Sequence, residues 1–500
     1  MKPLFKHQEE AIRKGYGRKA FAYFLEPGLG KTRIFIEESL RLYRAGVLDA
    51  AVVVCPINAL HVWEEEIEKW GGNIATSAVW PATPQGENAD RLPFYVVNYD
   101  AVVAHAVTMK KRKKKAKKEK WDEEELEPNL TQMLSESAFY TVLDFMEGKK
   151  TIIGLDESTV IAQEDSLRFL YCNEAGKKAE YRRLLTGTPI PHRVLDLYGQ
   201  LLWLGKEVVN KMNKWHFRNK FCILGGYKNK QVVGYRNLDI LVKMYNTCSV
   251  RMKTEDVYDM PSRFWLPVTI KPDGKLMELY NQIYEEDILP VIDSLGEKHL
   301  LDVSETLTEF TRLWQVCGGT LLLPNGEYKV VHRLKIDALL HMIEEFGDVS
   351  TIVWHHFRAE GKEIVKAFRK NGFKVGEYNG DLDKDERKEM NRAFENKEIR
   401  VLVIQDDSGH ESITLNAAAH SVYFSNHSRM KVRIQSERRN WRIGQKKPVF
   451  YYDLVMKGLF DDWQSGGIKR RRGLSERVTD NKLNGNDIKG MVFYEERKRI

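Results

Sequence analysis

The first half of the chain predicts short buried strands separated by helices. Ala22-Tyr23-Phe24-Leu25 is an apolar run, residues 26 to 30 break it, and from Thr32 onward Ile34, Phe35, Ser39 and Leu42 recur at helical spacing. Ala50 to Cys55 forms a second run, closed by Pro56 and followed by a helix-like stretch from Ala59 to Trp70. Thr151 to Leu155 forms a third and ends in Asp156-Glu157, while Arg183-Leu184-Leu185 leads into the polar turn Thr186-Gly187-Thr188-Pro189. Continuous rather than alternating apolar runs are what strands covered on both faces require, and the strand-helix alternation argues a parallel α/β sheet. Residues 198–250 and 275–322 instead carry long apolar-aromatic periodicity, as in LMELYNQIYEEDILPVI and LTEFTRLWQVCGG. They predict helical insertions whose aromatic positions lie in the core.

Composition adds bounds to this pattern. Five hundred residues with 42% apolar content can build two or three cores. Cys55, Cys172, Cys222, Cys248 and Cys317 are scattered without disulfide or metal-ligand spacing, as in a reducing cytosol. The N-terminus turns polar before a signal-type core could form, and no run approaches the roughly 18 apolar residues that span a bilayer. No membrane is expected. The net charge of +8 is unevenly placed: residues 110–120 hold nine basic side chains against Glu119 and are followed by Asp122-Glu123-Glu124-Glu125. Like-charge blocks of this kind are solvated, and a basic one favours a polyanionic partner. Lys469 to Arg472 forms a second basic cluster.

The candidate chemistry begins at FLEPGLGKTRIF, residues 24–35. Between a strand and a helix, Gly28, Leu29 and Gly30 can present backbone N–H groups to phosphate oxygens. Lys31 can then reach the β- and γ-phosphates, and Thr32 a magnesium ion. The strict G-x-x-x-x-G-K-[ST] form is not met, because Leu25 stands at its first glycine position. A structural turn is the plain alternative. Asp156, at the carboxyl end of a buried strand, can bind Mg²⁺, and Glu157 can orient the water that attacks a γ-phosphate. Alone, that pair would read as solvated acids at a helix start. Together, loop and acids make Mg²⁺ and a nucleotide carrying a γ-phosphate the expected cofactors.

EPGLGKT, VVVCPINALHVWEEEIEKW, YVVNYD, LDEST and LLTGTPI, in that order, resemble the first-lobe motifs of superfamily-two helicase-like ATPases. TIVWHHF, GEYNGDLDKDERKEMNRAFENKEIRVLVI, SITLNAAAHSVYFS and QSERRNWRIGQKKPVFYYDLV resemble the second-lobe motifs of the Swi/Snf branch of DNA translocases, over roughly residues 4–460 in all. Trp441 stands where that branch carries histidine, and SGHESITL replaces a glycine-richer turn.

The resemblance implies an α/β fold of two RecA-like parallel-sheet lobes with helical insertions between and within them. The expected division is a first lobe over 1–260, with a charged loop at 106–130 and a helical protrusion at 198–260. A second lobe follows over 261–465, with a protrusion at 275–322, and a basic tail over 466–500. Gln8 is expected near the adenine, and Arg439 and Arg442, in a Q-x-x-x-R-x-x-R spacing from Gln435, at the γ-phosphate. Pro56, Asn98, Tyr99 and Thr188, then His355, His356, Asn379, Gly380 and Ser412, fall where the family meets nucleic-acid backbone. ATP binding would close the lobes and hydrolysis reopen them, stepping a monomeric motor along duplex or branched DNA held through its phosphates. A strand-separating helicase and the motor of a restriction or repair assembly are the alternatives. A non-hydrolysing nucleotide-gated clamp is less consistent with Lys31, Asp156, Glu157, Arg439 and Arg442 all being present. The expected compartment is the cytoplasm of a bacterial or virus-infected cell, and the lysine block also fits a nuclear address on composition alone.

Overall fold

The structure is a computed structural model of the chain. It describes all residues except 1–2, 83–89, 105–136, 192, 226–230, 286–287, 293–297, 303–305, 407–412, 428, 481–490 and 493–500. The expected charged loop at 106–130 with its lysine block, Ser412 and most of SGHESITL therefore lie outside the described residues. Contacts divide the chain into two units, Met1–Val257 with Leu474–Glu496, and Tyr258–Gly473 with Arg497–Ile500.

The first unit is built on strands β1 (Ala20–Leu25), β2 (Ala50–Cys55), β3 (Ala75–Val79), β4 (Leu92–Asn98), β5 (Thr151–Asp156), β6 (Tyr181–Leu185) and β9 (Ser249–Met252). They form one sheet in the order β3-β4-β2-β5-β6-β1-β9, with every pairing parallel. β2 is buried at all six positions, as a strand covered on both faces should be. Helices α1 (Lys6–Gly15), α2 (Lys31–Arg44), α3 (Leu60–Gly71), α4 (Ala138–Met146), α5 (Leu167–Lys178), α6 (Asp196–Leu204), α7 (Lys214–Phe221) and α8 (Leu238–Thr247) complete this unit. On α2 the expected face is the buried one: Ile34, Phe35, Ser39 and Leu42 are all at most 1% exposed. The 198–260 insertion is only partly helical. Cys222–Gly225 (β7) and Gln231–Tyr235 (β8) form an antiparallel hairpin, to which Met491–Val492 adds a short strand, because QVVGY favours strand over helix.

The second unit holds a second all-parallel sheet of β10 (Arg263–Ile270), β15 (Thr351–His355), β16 (Val375–Tyr378), β17 (Val401–Gln405), β18 (His420–Tyr423) and β19 (Val449–Met456), in the order β10-β19-β18-β15-β17-β16. Its helices are α9 (Gly274–Glu285), α10 (Thr306–Gly318), α11 (Leu334–Glu345), α12 (Arg358–Lys370), α13 (Lys384–Glu395), α14 (Met430–Asn440) and α15 (Phe460–Thr479), the last of which belongs to this unit as far as Gly473. Between α9 and α10 lies the hairpin β11 (Ile288–Ile292) and β12 (Lys298–Asp302), and after α10 the hairpin β13 (Thr320–Leu322) and β14 (Tyr328–Val330). The 275–322 insertion is thus two helices flanking a hairpin, and its last three residues are strand β13. Its aromatic positions divide: Tyr280 and Trp314 are buried, whereas Tyr284 and Phe310 are exposed. The tail expected from residue 466 begins inside α15, a helix of 20 residues. Its apolar positions Ile468 and Val478 are buried.

Candidate active site

The turn after β1 carries the phosphate-loop candidates. Gly28 and Gly30 have φ of +92° and +77°, a backbone that other residues adopt only with strain. Gly30 is the cap of α2, so the free N–H groups of that helix start at Lys31 and the positive end of its dipole faces the loop. The loop is braced from α1. His7 donates through Nε2 to Leu29 O at 3.1 Å, Gln8 Nε2 lies 3.5 Å from the same oxygen, and a Cβ on Gly30 would stand 2.2 Å from Gln8 Nε2. Gln8 is 3% exposed and also accepts from Phe5 N at 3.1 Å. Its placement against the loop backbone is what the structure gives for the residue expected near adenine.

Lys31 donates through Nζ to Leu25 O at 3.1 Å. Asp156, at the end of β5, accepts from Trp63 Nε1 on α3 at 3.0 Å and from Glu157 N at 3.0 Å. Burial, then the charge of Glu157, push the Asp156 carboxyl up, while Lys31, Trp63 and Glu157 N pull it back. Lys31 and Asp156 thus share one electrostatic site although 125 residues separate them in sequence. Glu157 has φ +50°, a left-handed conformation that costs a non-glycine residue about 1–3 kcal/mol and clusters at active sites. The half-buried Asp156 carboxylate offers the hard oxygen donors that suit Mg²⁺.

The turn after β6 closes on the same loop. A Cβ on Gly187 would lie 2.7 Å from Pro27 Cδ and 3.2 Å from Leu25 O, so only glycine fits between these two turns. Arg251, on β9, ties them together: Nη1 donates to Phe24 O and Gly187 O, both at 3.1 Å, Nη2 to Glu26 at 3.3 Å and Nε to Asp480 at 3.4 Å. Glu26, 6% exposed, also accepts from Thr254 N at 2.9 Å. Sequence reasoning missed Arg251, Glu26 and Asp480, and no local signal joins residues more than 220 positions apart. Trp63 was within reach, because it lies on the helix-like stretch after the second apolar run.

In the second unit, Arg439 and Arg442 sit at the C-terminal end of α14 and just beyond it. Arg442 donates to Thr414 Oγ1 at 3.2 Å, and Arg439 O accepts from Leu415 N at 2.8 Å. Burial lowers the Arg442 guanidinium from its ordinary value. Trp441 is buried and donates to Pro261 O at 2.7 Å; at this position the chain has a core residue. Gln445 of RIGQ donates to the carbonyls of Asn416, Ala418 and Asn440 at 3.0–3.2 Å, which fastens the turn after the helix.

Several residues assigned to the polymer face inward instead. Tyr99 is 3% exposed and donates to Asp156 O at 2.7 Å. His355 is 1% exposed, bonded to Phe357 O, and burial pushes its imidazole down to about 4. His356 stacks on Trp314 at 4.3 Å and bonds to Asp406 at 3.0 Å. His356, Asp406 and His427 offer ligand atoms within 4.8 Å of one another. However, His427 Nδ1 accepts from Arg429 N at 2.8 Å, whereas a metal-bound imidazole uses its outer nitrogen as a donor. Within the trio, His356 and Asp406 are hydrogen-bonded and His427 packs edge-on against the His356 ring at 4.9 Å.

A family profile described as "SNF2-related domain" matches residues 23–320, and one described as "Helicase conserved C-terminal domain" matches residues 334–444. The chain belongs to the SNF2-related family. Among curated relatives, the "Putative ATP-dependent helicase/translocase YwqA" of Bacillus subtilis is 20% identical over 468 residues, covering 90% of this chain and 45% of that protein. The "DNA repair and recombination protein RAD54-like" of Danio rerio is 21% identical over 495 residues, covering 91% and 63%. The "Putative protein p41" of Acyrthosiphon pisum secondary endosymbiont phage 1 is 22% identical over 312 residues, covering 59% and 63%. The chain spans less than two thirds of the length of each of these relatives. Among solved structures, the "Sulfolobus solfataricus SWI2/SNF2 ATPase core in complex with dsDNA" aligns at 19% identity and TM-score 0.39, over 96% of this chain and 93% of that one. Among the described residues, no helix is long and apolar enough to cross a membrane.

Proposed function

We propose that this chain is a DNA-dependent ATPase that couples hydrolysis to movement along duplex DNA, remodelling protein-DNA complexes or branched DNA. The observation that carries the reading is the shared site of Lys31 and Asp156, with Glu157 held in a strained backbone beside them. The loop N–H groups and Lys31 bind and orient the phosphates, and Asp156 with Thr32 would hold Mg²⁺. When bound, that ion supplies charge neutralisation on the phosphoryl oxygens. Glu157 positions the attacking water and takes up its proton. Arg439 and Arg442 stabilise charge on the phosphoryl oxygens, a role worth about 10³–10⁵ in rate where one such arginine has been removed.

The reading as a duplex translocase is supported by family membership and by the two insertions at 198–260 and 275–322, and the partner is DNA gripped through phosphates. The test is the ATPase rate of the full chain with blunt duplex, single-stranded, forked and four-way DNA. Strong stimulation by blunt duplex is expected. Stimulation confined to single-stranded or tailed DNA would replace the translocase by a strand-separating helicase.

A further inference from the structure

The arginine pair at the end of α14 has a support that lies outside the second family match. Residues two apart on a helix point about 200° from one another, so Glu437 projects to the opposite face from Arg439. On that inner face Glu437 and Arg433 are 3% and 4% exposed. Glu437 Oε1 accepts from Arg433 Nε at 2.8 Å, from Trp265 Nε1 on β10 at 3.1 Å and from Arg472 Nη2 on α15 at 2.8 Å. Its backbone oxygen accepts from Tyr451 Oη on β19 at 2.8 Å. Arg433 is fixed in turn by Asp453 on β19 and by Asn426, with its guanidinium over the Tyr423 ring at 3.3 Å. Burial alone would push the Glu437 carboxyl up, but the charges of Arg472 and then Arg433 outweigh it and hold it down to about 2. Two arginines and an indole thus converge on one buried carboxylate oxygen, and one of those arginines comes from a helix that begins after residue 444, where the second match ends.

We infer that Arg472 is a positioning residue for phosphoryl transfer: through Glu437 it fixes the rotation of α14, and with it the aim of Arg439 and Arg442. The inference rests on the role given above to those two arginines. It also changes the reading of the basic cluster at 469–472, because Arg472, with its side chain 16% exposed, is used internally and not as a phosphate contact. Charge-assisted bonds made out of water are strong and directional, and a displacement of about 1 Å at a catalytic group can cost on the order of a hundredfold in rate. Losing Arg472 leaves Glu437 with Arg433 as its remaining charged partner in this network and removes the tie between α15 and α14.

The experiment uses the full chain with duplex DNA and Mg-ATP, comparing Arg472→Ala, Arg472→Lys and the exposed-site control Lys457→Ala. Arg472→Ala is expected to lower kcat by about tenfold to a hundredfold while KM for ATP stays within about twofold. Affinity for the transition-state mimic ADP–aluminium fluoride should fall by the same factor and affinity for ADP should not, a split that simple unfolding would not produce. Arg472→Lys, which keeps the charge and one bond, should recover part of the loss. Unchanged kcat and unchanged ADP–aluminium fluoride affinity in Arg472→Ala would overturn the inference, as would a loss of kcat that only tracks the folded fraction measured by circular dichroism. Arg439→Ala run alongside separates the two layers. If it is inactive while Arg472→Ala is normal, the positioning role alone fails. If Arg439→Ala also hydrolyses normally, the underlying reading of the arginine pair fails and the inference falls with it.

Discussion

Arg183 and Glu38 are both 0% exposed and form a buried ion pair in the first unit. Arg183, on β6, donates to Glu38, on α2, through Nε at 2.9 Å and Nη2 at 2.6 Å. Its remaining donors reach Arg182 O at 2.8 Å and Gly15 O at 3.2 Å, and Glu38 also accepts from Tyr23 Oη on β1 at 2.9 Å. One fork therefore joins α1, β1, α2 and β6. Arg183→Met leaves a fully buried carboxylate held by the Tyr23 phenol. Breaking such a pair from one side costs about 3–5 kcal/mol, because the surviving charge stays desolvated. Replacing both partners by apolar groups of similar volume removes that penalty, so Arg183→Met/Glu38→Leu should be less destabilised than the sum of its single variants by at least about 2 kcal/mol. In urea, with a slope near the upper end of about 1–3 kcal/mol per molar for a unit of this size, each single variant should lower the first unit's midpoint by roughly 1–2 M. Release of a fluorescent ATP analogue reports that unit's unfolding separately from the second. A single-variant shift below about 0.3 M, or a double variant equal to the sum of the singles, would mean that the Arg183–Glu38 pair is not an anchor of the first unit.

Three further outcomes are expected. Lys31→Ala and Glu157→Gln should both abolish DNA-stimulated ATPase, but nucleotide affinity should fall in the first and survive in the second, as a fluorescent-nucleotide titration will show; normal turnover in Glu157→Gln would remove that residue from water activation. His355 is lowered to about 4 from 6.5 by burial, so the unfolded chain binds more protons between those values. The second unit should then hold this contribution above about pH 6.5 and lose up to about 3 kcal/mol as pH falls towards 4, a slope that His355→Gln should flatten in urea titrations at each pH. Deleting residues 110–120 removes a net eight positive charges, nine basic residues less Glu119. It should weaken DNA binding alike for all sequences and reduce its salt slope, and an unchanged slope would make the block a bystander.

The parts of the site written in local sequence were legible. Gly28 to Thr32 needed only a strand before and a helix after, and Asp156-Glu157 only an apolar run ending in acids. The buried face of α2 followed from spacing alone. What stayed hidden is built by side chains brought together from distant positions, as when Arg251 reaches Phe24, Gly187 and Asp480, or Arg472 reaches Glu437. Their types are ordinary charged residues, and nothing near them in sequence separates a buried arginine from a solvated one. Arg472 shows the cost of that: in a run of four basic residues it resembled a phosphate-binding surface. Insertions described as helical turned out to be half hairpin, because the short β-branched segments around Val232 and Val291 were read within a longer helical periodicity. The inward turn of Tyr99 and His355 has the same origin, since a polar residue at a strand end can cap the sheet as readily as face a ligand.

Under the proposed function, hydrolysis drives movement on intact duplex. A motor that grips phosphates and inserts no wedge avoids a melting cost of about 1.4 kcal/mol per base-pair step. The direct test is displacement of a triplex-forming strand from a blunt duplex, followed in the presence of ATP with the full chain and with Arg442→Ala. The third strand should be released while the duplex beneath it stays paired, and Arg442→Ala should bind the DNA yet release nothing. Efficient separation of a tailed duplex with no displacement of the third strand would contradict the proposed function.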